Sequence, residues 1–271
     1  LFYRNYFGGF FAMPHVELLT YTYLPEKTVA SAAKLCYSPS DIDEIQKGMT
    51  DECISHFVDV LMQNHHESPI EHASFTFGIE GVSRSFLAQL TRHRIASYSV
   101  QSQRYVAESH FSYVLPPEIE AIPEAKEEYL HAMEEDQRHY DRLSELLKAK
   151  HKAALLKAGL TEKAADSKAQ KMANEDARFV LPNACTTKII CTMDARSLLH
   201  FFSLRCCNRA QWEIRAVAEQ MLWLVREAAP HLFQKAGPPC LNGACPEGKM
   251  SCGKQEEMRA HYAAKESEKN G

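Results

Sequence analysis

The sequence predicts an α+β fold: a mixed or antiparallel sheet flanked by helices, with a long helical insertion, in a single domain. Three observations carry this expectation. Residues 72–80 and 184–193 alternate apolar and polar side chains with a period of two, as half-buried strands do. Residues 124–158, dense in Glu, Lys, Arg, Leu and Ala, carry a helical stripe. No internal repeat and no restart of the core signal divides the remainder. At 271 residues the chain can bury one sizeable core.

The elements follow in order. Residues 1–12, rich in Phe, Tyr and Gly, are expected to be a non-native or disordered extension, with the natural start at Met13. Residues 16–23 read as a strand of β-branched and aromatic residues. Pro25 opens a helix reaching about Ala33. A second helix covers 51–62, with Cys53, Phe57, Val60 and Leu61 on one side. In the strand at 72–80, Ala73, Phe75, Phe77 and Ile79 form the buried face. Ser83 caps a short helix holding Phe86, Leu87 and Leu90, and an extended loop follows. Pro116, Pro117 and Pro123 precede the long helix, whose stripe is Tyr129, Met133, Tyr140, Leu143 and Leu147. Its charges read as a solvated face. Gly159 stops it and Thr161 caps the next helix, which ends by Pro182. The strand at 184–193 buries Thr187, Ile189, Cys191 and Met193. Asp194 caps a helix carrying Arg196, His200 and Arg205. A helix with Trp212, Met221, Leu222 and Val225 runs from about 209 to 229 and closes at Pro230. The folded domain is therefore 13–236, and 237–271 is a Cys- and charge-rich tail, expected to be loose.

Composition narrows the function. The chain has 31 basic against 35 acidic residues and a net charge of −4, so broad attraction to nucleic acid is not expected. No apolar run is long enough for a bilayer, and no membrane partner is expected. Nine cysteines, an odd and scattered set, argue against a secreted disulfide scaffold and for a reducing cytoplasm. Neither the His66–His72 spacing nor Cys240, Cys245 and Cys252 match a usual zinc pattern, and no metal is expected.

One segment departs from this even charge. Residues 81–107 contain no Asp or Glu across 27 positions, yet carry Arg84, Arg92, Arg94 and Arg104, His93 and five serines. Guanidinium groups bind phosphate through paired, charge-assisted hydrogen bonds, so the segment reads as an anion site. Arg92 and Arg94 in an extended loop point to opposite sides and can contact two groups at once. A second cationic set is Arg178, Arg196, His200 and Arg205, in which Arg196 and His200 share a helix face. These cations exceed what one phosphate needs, and two anionic ligands side by side account for them. Arg84 reads as a structural partner of surface acids. The cluster from His66 to His72 reads as a loop lining a cofactor pocket.

Arg92-His93-Arg94 followed after seven residues by Ser102 resembles the RHRx7S signature of the flavin-dependent thymidylate synthases, the ThyX family. Ser68-Pro69-Ile70-Glu71-His72-Ala73-Ser74-Phe75 and Gln101-Ser102-Gln103-Arg104-Tyr105 are similar to that family as well. So are Ala195-Arg196-Ser197-Leu198, Leu204-Arg205 and Ala210-Gln211-Trp212-Glu213. The likeness spans about residues 14–235 and rests on three separated blocks in the right order.

The resemblance implies reductive methylation of dUMP to dTMP. Methylenetetrahydrofolate is the carbon donor, reduced FAD the hydride donor, and NADPH the reductant of the flavin. It implies a homotetramer with active sites shared between subunits. It places Gln89, Arg92, Gln101, Ser102, Gln103, Arg104, Arg178 and Arg205 at dUMP, and Ser68, Arg92, His93, Arg94, Asp194, Arg196 and His200 at FAD. Arg205 is the catalytic candidate: at the uracil edge it favours the N3-deprotonated, electron-rich ring. Ser102 has no adjacent base and reads as a ligand of the nucleotide, not a nucleophile. The chain departs from the family at Ser99, Val100, Asp194 and His200. An acid at Asp194 would repel a pyrophosphate, which leaves it a role as helix cap. Two other readings use the same arginines: a nucleotide- or RNA-binding protein without redox chemistry, and a flavoenzyme acting on another nucleotide.

Overall fold

The computed structural model describes residues 3–4, 10–11, 14–105, 108 and 110–270. Strands β1 (Tyr3–Arg4) and β2 (Phe10–Phe11) are followed by β3 (His15–Tyr21), α1 (Pro25–Leu35), α2 (Ile42–Lys47) and α3 (Asp51–Gln63). A 3-10 turn (Pro69–His72) leads into β4 (Ser74–Ser83), α4 (Arg84–Leu90) and β5 (Ala96–Val100). Next come α5 (Pro117–Glu120), α6 (Pro123–Lys157), α7 (Glu162–Ala177), a 3-10 turn (Arg178–Val180) and β6 (Thr186–Asp194). The chain ends with α8 (Ala195–Arg205), α9 (Trp212–Ala228), α10 (Pro230–Phe233), two 3-10 turns (Pro239–Leu241, Gly248–Met250) and α11 (Gln255–Asn270). β1 pairs antiparallel with β2. The other strands form an antiparallel sheet in the order β3-β4-β6-β5. The α+β class, the sheet and the long helix are as the sequence predicts. The expectations for residues 1–12 and for a start at Met13 fall largely outside the described residues.

The chain resolves into two compact units that alternate along the sequence. The first comprises Leu1–Met13, Glu80–Ala88 and Val100–Ile189. Its main feature is the α6–α7 hairpin. Ala165, Ala169, Ala173 and Ala177 repeat every fourth residue on α7 and are all fully buried, which gives close helix packing without side-chain entropy cost. On α6 only Met133 and Tyr140 are buried, so most of its charge is solvated as expected, apart from ion pairs to α7 from Lys148 and Lys152. Gly159, at φ +88°, ends the hairpin's first arm in a conformation that L side chains rarely adopt. Thr161 caps α7 through the Ala164 N–H at 3.4 Å. Arg84 is not a surface ion pair as expected. Partly buried, it donates to the Gln101 carbonyl at 3.2 Å, because its helix starts inside the unit.

The second unit comprises Pro14–Ile79, Gln89–Ser99 and Ile190–Gly271. Ala73, Phe75, Phe77 and Ile79 are buried, as the period-two pattern requires. An aromatic chain runs from β4 through the core: Phe75 meets Phe233 at 5.3 Å between centroids, Phe233 meets Phe202 at 6.0 Å, and Phe202 meets Phe201 at 5.8 Å. Edge-to-face pairs of this kind are directional, so they fix the rotation of α8 as well as its burial.

The tail is not loose. Met258 and Tyr262, spaced i, i+4 on α11, are buried, and Tyr262 lies on Trp223 of α9 at 5.8 Å. Arg226 sits over Trp223 at 4.7 Å, pairs with Glu266, and donates to the Phe233 and Ala236 carbonyls. Truncating a buried aromatic costs on the order of 3–5 kcal/mol. Tyr262→Ala is therefore expected to lower the urea midpoint and to make residues beyond Gly237 the first sites of proteolysis.

Candidate functional site

The second unit contains a cavity of about 790 Å³, bounded by the turn after α4, the end of β6 and one face of α8. Its walls include Glu71, Arg92, His93, Arg94, Ile95, Asp194, Arg196, Ser197, His200, Leu204 and Arg205. Two segments far apart in sequence, the Arg-His-Arg motif and the helix ending at Arg205, thus meet at one site.

The turn has a local cause. After α4, the N–H groups of Arg92 and His93 donate to the carbonyls of Gln89 and Leu90 at 3.3 and 3.1 Å, so the chain turns instead of extending. The Tyr98 hydroxyl ties the turn down from β5 by donating to the Leu90 and His93 carbonyls at 3.0 and 2.9 Å. Burial pushes that phenol's pKa well above its usual value. The expectation that Arg92 and Arg94 face opposite sides of an extended loop is corrected: the turn places both on the same cavity. Ile95, at φ +62°, occupies the left-handed region that a β-branched residue strongly disfavours. The sequence gives no sign of this strain, which sits beside the arginines.

His93 and Arg205 form the centre. Arg205 Nε donates to His93 Nε2 at 2.8 Å. The imidazole is therefore neutral, with its proton on Nδ1. Phe201 holds the ring edge-on at 4.9 Å, at the end of the aromatic chain from β4. Burial, with Arg205, His200 and Arg92 nearby, lowers the His93 pKa to about 4. Because it lies below the ordinary value of 6.5, the contact is fully present above pH 6.5 and is lost as the pH falls through about 4. Urea unfolding of the ligand-free protein is expected to show a stability loss over that window. His93→Gln, an acceptor that cannot titrate, is expected to lack this part of the loss.

The acids at the cavity are engaged. The Asp194 carboxylate accepts from the Ser197 N–H at 2.7 Å and its hydroxyl at 3.0 Å, capping α8. Arg196, expected at FAD, donates to Glu67 at 2.9 Å and to Glu71 at 2.6 Å. Both acids belong to the 66–72 loop read from the sequence as lining a cofactor pocket, but their pairing with Arg196 is not legible there. Among the described residues no carboxylate pairs with Arg92, Arg94 or Arg205. The net balance is cationic, suited to an anionic ligand. His200 lies one helical turn beyond Arg196 on the same wall, with its ring 6.3 Å from that of His93. Ser68 is exposed at the head of the 3-10 turn and is not a wall residue. Gln89 donates to Gln211 Oε1 at 3.5 Å, and the same oxygen caps α9 through the Glu213 and Ile214 N–H groups.

The remaining candidates belong to the first unit. The Gln101 backbone is held in the sheet, its N–H donating to the Lys188 carbonyl at 2.9 Å. The Ser102 hydroxyl accepts from the Arg104 N–H at 3.3 Å. Gln103 Nε2 donates to the Cys185 sulfur at 3.6 Å. Glu175 organises both arginines of this group: its carboxylate pairs with Arg104 at 2.9 Å, and its carbonyl accepts from Arg178 Nε at 3.1 Å.

Comparison with known proteins bears on the site's identity. Residues 17–231 match the Thy1 family model, described as thymidylate synthase complementing protein. A flavin-dependent thymidylate synthase of Clostridium tetani is 53% identical over 91% of this chain and 96% of the relative. Proteins of the same description from Geobacter sulfurreducens and Nitratidesulfovibrio vulgaris are 47% and 44% identical. The chain covers 96% and 95% of their lengths, and they cover 90% and 89% of this one.

Proposed function

The chain belongs to the flavin-dependent thymidylate synthase family, and on that premise we propose that it converts dUMP to dTMP by reductive methylation. Methylenetetrahydrofolate is the proposed carbon donor, FAD the flavin and NADPH its reductant. The observation that carries the reading is the 2.8 Å contact of Arg205 with neutral His93 over a cationic cavity. The relatives bear an enzyme's name, which favours catalysis over the nucleotide- or RNA-binding alternative.

The cavity's donors fit a dinucleotide such as FAD. Arg92 and Arg94 supply guanidinium groups that pair with no carboxylate among the described residues, Arg196 and His200 add further donors, and Asp194 and Glu71 are occupied by protein partners and add little repulsion. Ser68 joins this set only in the family's pattern. A flavin held there would supply the hydride that reduces the one-carbon unit transferred to the nucleotide to the methyl level. Arg205 ends α8, and its Nε is held by His93, so its terminal nitrogens stay directed at a ligand without searching rotamers. A fixed cation stabilises a uracil ring deprotonated at N3 without reorganising as charge develops. Ser102, Arg104 and Arg178, with Gln101 and Gln103, are proposed ligands of the nucleotide, and the family's pattern adds Gln89 and Arg92. Glu175 presets the two arginines. Among the described residues no general base hydrogen-bonds to the Ser102 hydroxyl, which supports a binding role.

Residues 13–236 are the proposed catalytic domain. A homotetramer with shared sites and a cytoplasmic setting complete the reading. Among the described residues no helix is long and apolar enough to cross a membrane. The test is NADPH oxidation by the flavin-loaded protein. Stimulation by dUMP, with dTMP appearing on addition of methylenetetrahydrofolate, is the expected result. Oxidation indifferent to dUMP, with no dTMP, would overturn the proposal.

A further inference from the structure

We propose that Cys207, Cys240, Cys245 and Cys252 are the ligands of a structural zinc ion that staples the C-terminal segment beneath Arg205. Cys207, Cys240 and Cys245 line one cavity of about 360 Å³, together with Arg209 and Glu247. Cys252 is close enough to Cys240 to interact with its charge, as are the other two. All four are free thiols.

The burial pattern of the segment is the independent observation. From 242 to 254 every residue is exposed except Cys245 and Cys252. These thirteen residues bury no aliphatic or aromatic side chain, and their regular structure is a single 3-10 turn, Gly248–Met250. Yet the loop is held in one course. Gln255 and Arg259 of α11 donate to the Cys240 and Gly243 carbonyls, and Glu247 pairs with Arg209 at 2.7 Å. A loop with no core of its own that turns only its thiols inward has the composition of a metal-stapled segment. Four thiolates suit a tetrahedral, thiophilic ion, and zinc is the member of that class without redox demands.

Among the described residues no three such side chains are already grouped as a metal would hold them. Binding therefore gathers Cys207, Cys240 and Cys245 in the cavity they border and brings Cys252 in beside Cys240, with each ligand releasing its proton. Cys240 is the most buried member of the three in this segment, at 8% exposed, while Cys245 and Cys252 are half-buried on the anchored loop. Leu204 and Arg205 line both this cavity and the cationic one, so the staple underlies the arginine proposed for chemistry.

The experiment is metal analysis of the full chain, purified under reducing conditions without a metal-binding tag. About one zinc per chain is expected, released by a mercurial that titrates thiols and detected with a colorimetric chelator. Cys252→Ser is expected to lose zinc, and Cys252→His, which restores a nitrogen ligand, to regain it. Cys36→Ser, outside the cluster, is expected to keep it. Should Cys252→Ser fail to fold, the mercurial release from the unaltered chain still decides. Protein without zinc that also fails to take up added zinc contradicts the proposal. So does iron in its place, or an intact mass showing a disulfide among these four. None of these readouts depends on thymidylate formation.

Discussion

Replacing Arg205 with alanine is expected to lower dTMP formation about a hundred- to a thousandfold, the usual cost of removing one preorganised donor from a developing anion, while the flavin stays bound. The geometry separates the two functions. Arg205 is fixed by His93 on one side, and the cavity retains Arg92, Arg94 and Arg196 without it. The comparison to make is dTMP turnover against flavin content in the same preparation. Equal loss of both would mean that Arg205 supports the flavin or the fold instead. His93→Gln is the informative companion: it keeps an acceptor for Arg205 Nε and is expected to retain far more turnover than Arg205→Ala.

Arg178→Ala is expected to raise the KM for dUMP by about a hundredfold, with a smaller effect on turnover at saturation. Charge-assisted bonds to phosphate are about twice as strong as neutral ones, and a contact made equally in ground and transition states affects KM. Arg178 Nε is tied to the Glu175 carbonyl at 3.1 Å, which leaves the terminal nitrogens for a ligand. Glu175 also pairs with Arg104 through its carboxylate, so Glu175→Gln is expected to weaken dUMP binding less than Arg178→Ala does. A loss confined to kcat in Arg178→Ala would contradict a phosphate-holding role.

Much of the fold was legible because it follows from local periodicity and caps. Phe75, Phe77 and Ile79, and Ile189, Cys191 and Met193, are buried as their alternation requires. Ser83 and Asp194 cap the helices they precede, through the N–H groups of Phe86 and Ser197. β5 was missed because it is a short edge strand whose Ser97 and Ser99 face solvent, which reads as loop. The docking of α11 was missed because its apolar pair, Met258 and Tyr262, is sparse, and its partner Trp223 lies far back in the chain. At the site, the residue types were readable but their pairings were not. The contact that makes His93 a neutral acceptor spans 112 positions, and no local spacing encodes it. The clamp of Glu67 and Glu71 on Arg196 spans 129 and 125 positions.

The central claim is that guanidinium groups gathered from distant segments seat a uridylate for reduction by a flavin. A single turnover without oxygen tests it most directly. The flavin-loaded chain is reduced, and dUMP and methylenetetrahydrofolate are added. The account predicts one dTMP formed for each flavin reoxidised, and neither event when dUMP is withheld. Formation of dTMP while the flavin stays reduced, or flavin reoxidation with the dUMP unchanged, would contradict it.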